Sequence, residues 1–455
     1  MSAKKTEKLN RIFNPSSIAI IGASDKEGSV GFGLVKNLTG AKGIAVFLIN
    51  PYIKEINGAK TYPDIASTKK KIELAIIAVP APIVPEILKQ CIVAKAGGAI
   101  VVASGFGELG QAGKITEKEI AEMCQKAGMP LIGPNCLGII NNSIGLNASF
   151  APISPKKGNI ALLSQSGALI DVIIDRAAEE KFGFSKIISY GNEADCSLAG
   201  FLEYLKTDKD TKAIIVYLES IKNGREFMDI AKSVSVVKPI IVIKAGRGEI
   251  GQQAAATHTG ALSTNYEIYK TALRQANVGQ ADSLDELLDS AKALSLCPRC
   301  ANGIGVVTNG GGLGVLAADA CEENGIVLPD IQPQTIKILD KEKCLEKISI
   351  KRNPLDIIGD ALPERYEAGV GALLQQNDIS GLLVLQSVQI MTRPMENAKI
   401  IVSLRKKFPT KPIICCFAGN KLVAEAADYL ESNGIPNYND PKRAVKAFKH
   451  LIFPK

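Results

Sequence analysis

Short, continuously apolar runs recur along the chain, and this pattern restricts the possible folds more than any other feature of the sequence. The clearest runs are residues 17–22, 74–79, 99–103, 213–218, 239–243 and 381–385. Strands that are buried on both faces have this pattern, and parallel sheets covered by helices bury their strands in this way. Amphipathic stretches at 83–94 and 115–126 lie between such runs. The sequence therefore predicts an α/β fold with parallel sheets.

A weak internal repeat indicates the number of domains. A strand, a turn of small residues and a helix start follow one another at residues 18–24, 160–167 and 304–312, each after a loop-like stretch. At about 150 residues per domain, a chain of this length is expected to form three domains. We therefore predict three consecutive domains, formed by residues 1–147, 150–297 and 300–455.

The composition excludes several classes of protein. Apolar residues make up 46% and charged residues 22% of the 455 residues, which excludes a disordered chain, a collagen and a coiled coil. No apolar run approaches the roughly 18 residues of a membrane span, and the first residues are polar, so we expect neither a membrane segment nor a secretory signal. The net charge of +8 suits an anionic small molecule as well as nucleic acid. Because the chain lacks Trp, it has few of the aromatic side chains on which bases stack, so we expect no nucleic-acid partner.

The ten cysteines are too sparse for a disulfide scaffold in a chain of this length. Cys297 and Cys300 form a single CxxC, which is either half of a metal site or a helix end beside a linker. Without a second pair, and with two histidines in the chain, we expect no metal site. Reduced thiols predict a cytoplasmic location.

The first small-residue turn, residues 22–31, has two interpretations. Such a turn often only connects a strand to a helix. It also exposes backbone N–H groups at the positive end of the helix, where anions bind. The turn is longer than a GxGxxG fingerprint and carries Lys26, so NAD is not specifically indicated. The chain also contains no Walker A loop.

Further turns follow other predicted strands. Their shared feature is position, because ligands of open α/β sheets bind at the carboxyl ends of the strands. Lys54, close to one of these ends, is placed to meet a phosphate. The residues concerned are Asn50, Pro51, Val79, Pro80, Ser104, Gly105 and Asn135.

The chain has two histidines, His258 and His450. His450 lies in a basic C-terminal segment, where we expect it to be exposed. His258 lies between Thr257 and Thr259, in a stretch of glycine and alanine that predicts a loop over residues 246–260. Local context leaves a structural and a catalytic role open for His258.

Four motifs in order resemble one family. Residues 257–262, Thr-His-Thr-Gly-Ala-Leu, preceded by Lys-Ala-Gly-Arg, resemble the phosphohistidine loop of the NDP-forming acyl-CoA synthetases. This family includes the ADP-forming acetyl-CoA synthetases and is related to succinyl-CoA synthetase. The early turns and residues 133–138 look like its CoA-binding domain, and residues 164–169 and 308–313 look like the helix starts that hold phosphate. The resemblance covers the whole chain, in the order of the family's α subunit.

The resemblance implies a Rossmann-like CoA-binding domain followed by two flavodoxin-like ligase domains. It implies that the first domain binds coenzyme A and that two helix starts bind phosphate. The residues that match the CoA site are Gly22, Ala23, Ser24, Lys26, Asn50, Pro51, Lys54, Val79, Pro80, Ser104, Gly105 and Asn135. Those that match the phosphate sites are Ser164, Gln165, Ser166, Gly167, Asn309, Gly310, Gly311 and Gly312.

The resemblance also implies a reaction. Acyl-CoA and phosphate give acyl phosphate and CoA, His258 takes the phosphoryl group as the free acid leaves, and phosphohistidine then phosphorylates ADP. Neutral imidazole is a competent acceptor near neutral pH. The family uses a glutamate at a strand end to orient the histidine, and Glu219 stands in the matching position. Without the resemblance, an ion-paired strand terminus would be the preferred interpretation of Glu219.

The family's nucleotide site is an ATP-grasp module, and the three predicted domains leave no segment for it. We therefore expect a separate ATP-grasp β subunit that binds ADP or ATP with magnesium, in an α2β2 heterotetramer.

Three alternatives stay open at this point. A succinyl-CoA synthetase-like α subunit would match only the first 295 residues or so. A non-catalytic module that senses CoA or nucleotide would leave His258 unphosphorylated. A nicotinamide-linked dehydrogenase would need a cleaner glycine fingerprint and an acidic residue where Asn50 stands.

Overall fold

The computed structural model describes residues 3–259, 265–345 and 351–453. In these residues the strands form three sheets that are parallel except at their edges, and helices separate most of the successive parallel strands. The α/β fold with parallel sheets is therefore confirmed. Contacts divide the chain into two compact units, Met1–Leu284 and Asp285–Lys455.

The first sheet lies in the first unit. Its strands are β1 (Ser17–Ile21), β2 (Ala45–Ile49), β3 (Glu55–Ile56), β4 (Ala59–Tyr62), β5 (Leu74–Ile77), β6 (Ala99–Val101) and β7 (Leu131–Ile132). The helices of this part are α1 (Ala3–Phe13), α2 (Val30–Leu38), α3 (Val84–Val93) and α4 (Gln111–Ala127). The strand order is β3-β4-β2-β1-β5-β6-β7. Every residue of the central strand β1 is buried, which explains its uninterrupted apolar sequence.

The second sheet belongs to the same unit. Its strands are β8 (Gly138–Asn141), β9 (Leu146–Ser149), β10 (Lys157–Ser164), β11 (Phe184–Ser189), β12 (Ala213–Leu218), β13 (Ile240–Lys244) and β14 (Gly279–Gln280). The helices are α5 (Gly167–Ala177), α6 (Leu198–Thr207), α7 (Gly224–Ser235), α8 (Glu249–Thr259) and α9 (Tyr266–Gln275). The order is β14-β13-β12-β10-β11-β8-β9. The antiparallel hairpin β8–β9 spans the boundary predicted near residue 147 and pairs with β11.

The two sheets of the first unit share one hydrophobic core. Phe13 at the end of α1 stacks on Tyr204 of α6, with ring centroids 4.7 Å apart, and meets Phe201 edge-on at 6.5 Å. Asn141 of β8 donates from Nδ2 to the carbonyl oxygen of Phe13 at 2.8 Å. These contacts explain why the first two predicted domains form one compact unit.

The second unit carries the third sheet. Its strands are β15 (Ile304–Thr308), β16 (Leu355–Asp356), β17 (Gly381–Gln386), β18 (Ile413–Phe417) and β19 (Asn437–Tyr438), in the order β16-β15-β17-β18-β19. Its helices are α10 (Leu284–Leu296), α11 (Gly311–Glu323), α12 (Pro333–Lys341), α13 (Pro363–Gln375), α14 (Pro394–Lys407), α15 (Ala424–Ser432) and α16 (Pro441–Lys449).

Helix α10 precedes the boundary predicted near residue 297, yet it packs with the second unit. Lys292 of α10 pairs with Glu431 at 2.8 Å, and Asp289 receives two hydrogen bonds from Arg443, each of 2.8 Å. These are contacts between residues distant in sequence, which the loop-like composition after α10 does not indicate.

Two local expectations were wrong. Residues 249–259 form helix α8 where a loop was predicted. The helix contains the run Ala254–Ala256, and alanine has the highest helix propensity of all residue types. His450 is 7% exposed, since it follows α16 and faces Glu286, with Nε2 and Oε1 4.0 Å apart. In the described part of the chain, none of the helices is both long and apolar enough to cross a membrane.

Candidate active site

A cavity of about 630 Å³ lies where the carboxyl ends of the first sheet meet the start of α5. From the first sheet's loops, Val79, Pro80, Ser104 and Asn135 line it; from the start of α5, Gln165, Ser166 and Gly167 line it. These seven residues were predicted from the sequence as two separate groups, one for each ligand. The fold brings both groups to the same cavity.

The first turn lies beside this cavity without lining it. Gly22 has φ +91°, and a Cβ added there would stand 2.4 Å from the carbonyl oxygen of Ala78. A Cβ on Gly31 would stand 2.1 Å from the carbonyl oxygen of Gly22. Lys26 is exposed, and its amide donates to Ser24 Oγ at 3.0 Å. The glycines therefore permit a close approach of backbone segments, while buried Ala23 belongs to the core.

Asn50 shapes the turn rather than facing the cavity. Its Nδ2 donates to the carbonyl oxygen of Ala23 at 2.8 Å, and its Oδ1 accepts from the amide of Tyr52 at 2.8 Å. Pro51 and Lys54 are exposed and do not line the cavity. The structure thus separates the residues around position 50 from those at the cavity wall.

The start of α5 presents backbone N–H groups to the cavity. Ser166 caps the helix, with its Oγ accepting from the amide of Leu169 at 3.4 Å. Buried Ser164 holds the turn, because its Oγ donates to the carbonyl oxygen of Ser166 at 2.7 Å and accepts from its amide at 3.1 Å. Gly167 and Ala168 of the first turn line the cavity. The N–H groups and the helix dipole favour an anion here.

Glu219 directly follows β12 and is 9% exposed. Gln165 connects it to the cavity: the Gln165 Oε1 atom accepts from the amides of Glu219 at 2.6 Å and of Ser220 at 2.9 Å. Burial raises the pKa of Tyr217, and the nearby carboxylate of Glu219 raises it further. The side chain of Gln165 therefore fixes the backbone of Glu219, while Glu219 places a buried negative charge behind the cavity.

Lys244 is a charged residue at this site that the sequence analysis did not select. It ends β13 in register with Leu218, so it lies one strand away from Glu219. Burial lowers the pKa of Lys244, and the negative charge of Glu219 opposes this shift. Its Nζ atom lies 4.5 Å from the ring centroid of Tyr269. A lysine that ends an apolar strand next to Ala-Gly-Arg was the available signal in the sequence.

A hydrogen-bond network lies behind Asn135. Asn135 donates to Asn192 at 3.2 Å, and Asn192 donates to Glu108 at 2.7 Å and to Glu117 at 2.8 Å. The amide of Gly105 donates to Glu108 at 2.5 Å, so this amide has an internal partner. Burial raises the pKa of Glu108, but the hydrogen bonds from Asn192 and Gly105 outweigh burial and lower it. Glu108 is therefore a carboxylate that holds the cavity wall.

Glu193, next to this network, predicts a pH-dependent stability. Burial raises the pKa of Glu193 to about 7, against 4.5 for the free group, although the Leu198 amide donates to it at 2.6 Å. The folded state therefore binds a proton that the unfolded state has released, so stability falls as the pH rises from 4.5 to about 7.

Glu193→Gln keeps the acceptor for Leu198 and removes the titration. The free energy of unfolding of this variant, relative to wild type, should increase by about 2–3 kcal/mol between roughly pH 5 and pH 8, measured by urea denaturation. Asp229→Asn, at an exposed position on α7, is the control and should show no such increase. An identical pH dependence in wild type and Glu193→Gln would disprove the assignment.

The second unit repeats the arrangement at its own helix start. Thr308 Oγ1 donates to the carbonyl oxygen of Gly310 at 2.9 Å and accepts from its amide at 3.0 Å, as Ser164 does for Ser166. Asn309 Oδ1 accepts from the amide of Ser387, the first residue after β17, at 2.7 Å. Helix α11 begins at Gly311, and Gly311 and Gly312 are exposed. The start of α11 is therefore an exposed helix N-terminus, and a hydroxyl holds the preceding turn in the same way as at the start of α5.

His258 lies in α8, one residue before its end at Thr259. Its side chain, and residues 260–264 of the predicted phosphohistidine loop, lie outside the described part of the chain. The role of His258 therefore stays a prediction from the sequence.

Three family models match the chain in succession. A CoA binding domain matches residues 16–142, a succinyl-CoA ligase like flavodoxin domain matches 157–294, and a ligase-CoA domain matches 304–448. These matches agree with one Rossmann-like domain followed by two flavodoxin-like ligase domains.

Several relatives cover almost all of this chain. Acetate–CoA ligase (ADP-forming) I of Archaeoglobus fulgidus is 40% identical over 97% of this chain and 63% of its own length. Acetate–CoA ligase (ADP-forming) II subunit alpha of Pyrococcus furiosus is 38% identical over 98% of this chain and 97% of its own. A solved structure of the dinucleotide forming acetyl-coenzyme A synthetase 1 of Ca. Korarchaeum cryptofilum, in complex with phosphate and ADP, has a TM-score of 0.91 and 38% identity, covering 97% of this chain and 96% of that one.

The fold and the three successive matches define a CoA ligase-like chain of three α/β domains. The chain belongs to the ADP-forming acetate–CoA ligase family. It spans 63% of the length of the relatives from Archaeoglobus fulgidus and Methanocaldococcus jannaschii.

Proposed function

We propose that this chain is the CoA-binding and phosphate-binding part of an ADP-forming acyl-CoA synthetase, an acid–thiol ligase. It would convert acyl-CoA, phosphate and ADP to the acid, CoA and ATP. The observation that carries the proposal is the single cavity shared by Val79, Ser104 and Asn135 of the CoA-binding domain and by the start of α5. Such a cavity brings a thioester carbonyl next to an anion site.

The proposed reaction has three steps. A phosphate oxygen attacks the thioester carbonyl, the C–S bond breaks, and acyl phosphate and CoA form. The N–H groups of Gly167 and Ala168 stabilise the negative charge of the phosphate. A ring nitrogen of His258 then attacks phosphorus, the acid leaves as a carboxylate, and phosphohistidine passes the phosphoryl group to ADP. Glu219 would accept a hydrogen bond from the other ring nitrogen of His258 and so orient the ring.

We propose that the nucleotide step needs a partner. The Pyrococcus furiosus relatives, which match over 97% of their own length, are named alpha subunits, whereas the Archaeoglobus fulgidus relative is longer. We therefore place ADP and Mg²⁺ in an ATP-grasp β subunit and propose an α2β2 heterotetramer. All ten cysteines are free thiols, which supports the cytoplasmic location predicted from the sequence.

CoA binding tests the proposal directly. The full chain should bind CoA saturably in isothermal titration calorimetry and should not bind NAD under the same conditions. Ser104→Trp places a bulky side chain at the cavity wall, so it should weaken CoA binding by about tenfold or more, the effect of losing about 1.4 kcal/mol.

Glu119→Trp is the matched control, because Glu119 is exposed on α4 and does not line the cavity. It should bind CoA as wild type does. Tight NAD binding without CoA binding would contradict the proposed function.

A further inference from the structure

The wall of the cavity includes one carboxyl group that has no role in the proposed reaction. Asp171 lies on α5, four residues after Gly167, and both residues line the cavity. The Asp171 Oδ1 atom is buried and has no hydrogen-bond partner among the described residues. Burial raises the pKa of this carboxyl. Native proteins pair nearly all buried polar atoms, so an unpaired carboxyl on a residue that lines a cavity indicates that a ligand supplies the partner.

The described residues that line the cavity offer Asp171 no cation. Among the described residues that line the cavity, Asp171 is the one charged side chain, and none of the others is Lys, Arg or His. The wall also includes the apolar side chains of Val30, Leu137 and Phe150. In such a mostly apolar wall, a hydrogen bond or ion pair to a carboxylate is stronger than in water.

The position of Asp171 fixes which part of a substrate it meets. An α-helix rises 1.5 Å per residue, so Asp171 lies about 6 Å along the axis from Gly167, whose N–H group belongs to the anion-binding end. The reacting carboxyl carbon lies at that end in the proposed reaction. Asp171 therefore faces a substituent further along the acyl chain, a few carbons from the reacting carbon.

Resting on the proposed function, we propose that Asp171 selects acyl groups that carry a hydrogen-bond donor, a hydroxyl or an ammonium group, further along the chain. Such a donor satisfies the carboxyl of Asp171, whereas an unsubstituted acyl chain leaves it unpaired. A second carboxylate on the acyl chain would meet a like charge. Asp171 thus also disfavours dicarboxylic acyl groups such as succinyl.

The test uses the full chain reconstituted with its β subunit and measures kcat/KM for matched acids with CoA and ATP. The set comprises propanoate and butanoate, their terminal hydroxyl and amino derivatives, and the corresponding dicarboxylates. Wild type should prefer the hydroxyl or amino acid over its unsubstituted parent by about 10- to 100-fold, the range for one hydrogen bond to a charged group.

Two variants separate charge from hydrogen bonding. In Asp171→Ala the kcat/KM values of the substituted acid and its unsubstituted parent should differ by less than about threefold, because the hydrogen bond to the charged group is lost. Asp171→Asn should lose the preference for the ammonium group and the discrimination against dicarboxylates, because it keeps the shape and removes the charge. Asp175→Asn, one turn further on the same helix and exposed, is the matched control and should keep the wild-type ratios.

The outcomes distinguish this inference from the proposed function. Turnover of these acids with the same ratios in wild type and Asp171→Ala would overturn the role of Asp171 alone. A wild-type preference for unsubstituted or dicarboxylic acids would do the same. If the wild-type complex turns over none of these acids or acetate, the proposed function fails and the inference fails with it.

Discussion

Replacing His258 by Ala should abolish ATP synthesis from acyl-CoA, phosphate and ADP in the reconstituted complex. It should also abolish the exchange of label between ADP and ATP. Both activities need a group that holds the phosphoryl between two substrates, and alanine offers no nucleophile. In the proposed complex, CoA binds this chain and ADP binds the partner, so one carrier has to serve both sites. Isotope exchange, followed for each half-reaction separately, measures the effect.

His450, the other histidine, offers a control. His450→Gln keeps a polar side chain of similar length near Glu286, so the folded variant should retain both activities. The folded state of each variant is verified by its thermal unfolding. Net ATP synthesis by His258→Ala would show that phosphate passes directly between the substrates.

Glu219→Gln should reduce turnover by about two orders of magnitude, the range for positioned acid–base and orienting groups. The substitution keeps the shape of the side chain and removes its charge. The backbone at this position should stay in place, because Gln165 accepts from the amides of Glu219 and Ser220. The loss should fall on kcat, with KM for acyl-CoA nearly unchanged, since Glu219 does not line the cavity.

A second readout separates an orienting role from a purely structural one. Removing the charge of Glu219 should lower the pKa of Lys244 further, because burial would then act on Lys244 without this opposing charge. The pKa of Lys244 should therefore fall in Glu219→Gln together with turnover, whereas Asp229→Asn, at an exposed position on α7, should change neither. A folded Glu219→Gln complex with wild-type turnover would rule out the orienting role.

The sequence predicted the strands well, for a physical reason. Residues 213–218 were predicted as a buried strand and form β12 with the same bounds, and residues 381–385 correspond to β17. Nearly every residue of both strands is buried, so their sequences carry no polar alternation. The prediction of a parallel α/β fold depended on this pattern alone and is confirmed.

The hairpin β8–β9 and helix α8 were not predicted. The hairpin is antiparallel and pairs with β11, a contact set by the tertiary structure and not by local pattern. Helix α8 has the sequence Glu-Ile-Gly-Gln-Gln-Ala-Ala-Ala-Thr-His-Thr and no apolar stripe, so hydrophobic periodicity does not indicate it. The helix propensity of its alanines, a weaker signal that the loop prediction did not use, favours the helix that the structure shows.

The site was predicted as a set of strand ends, but not the function of each side chain. Position at a strand end places Ser104 and Asn135 at the cavity, because parallel strands end at one edge. The same rule selected Asn50, whose side chain is used within the turn, and Gly105, whose amide bonds to Glu108. Asp171 was missed, because the burial of a helix side chain depends on which face points at a neighbouring domain.

Labelling of the chain by phosphate tests the central claim most directly. The reconstituted complex is incubated with acyl-CoA and radiolabelled phosphate, and the chain is then isolated and digested. The account predicts acid-labile, base-stable label on the peptide that contains His258, and no label on this chain in the His258→Ala complex. Unlabelled wild-type chain during active turnover, or label on another residue of this chain, would contradict the account.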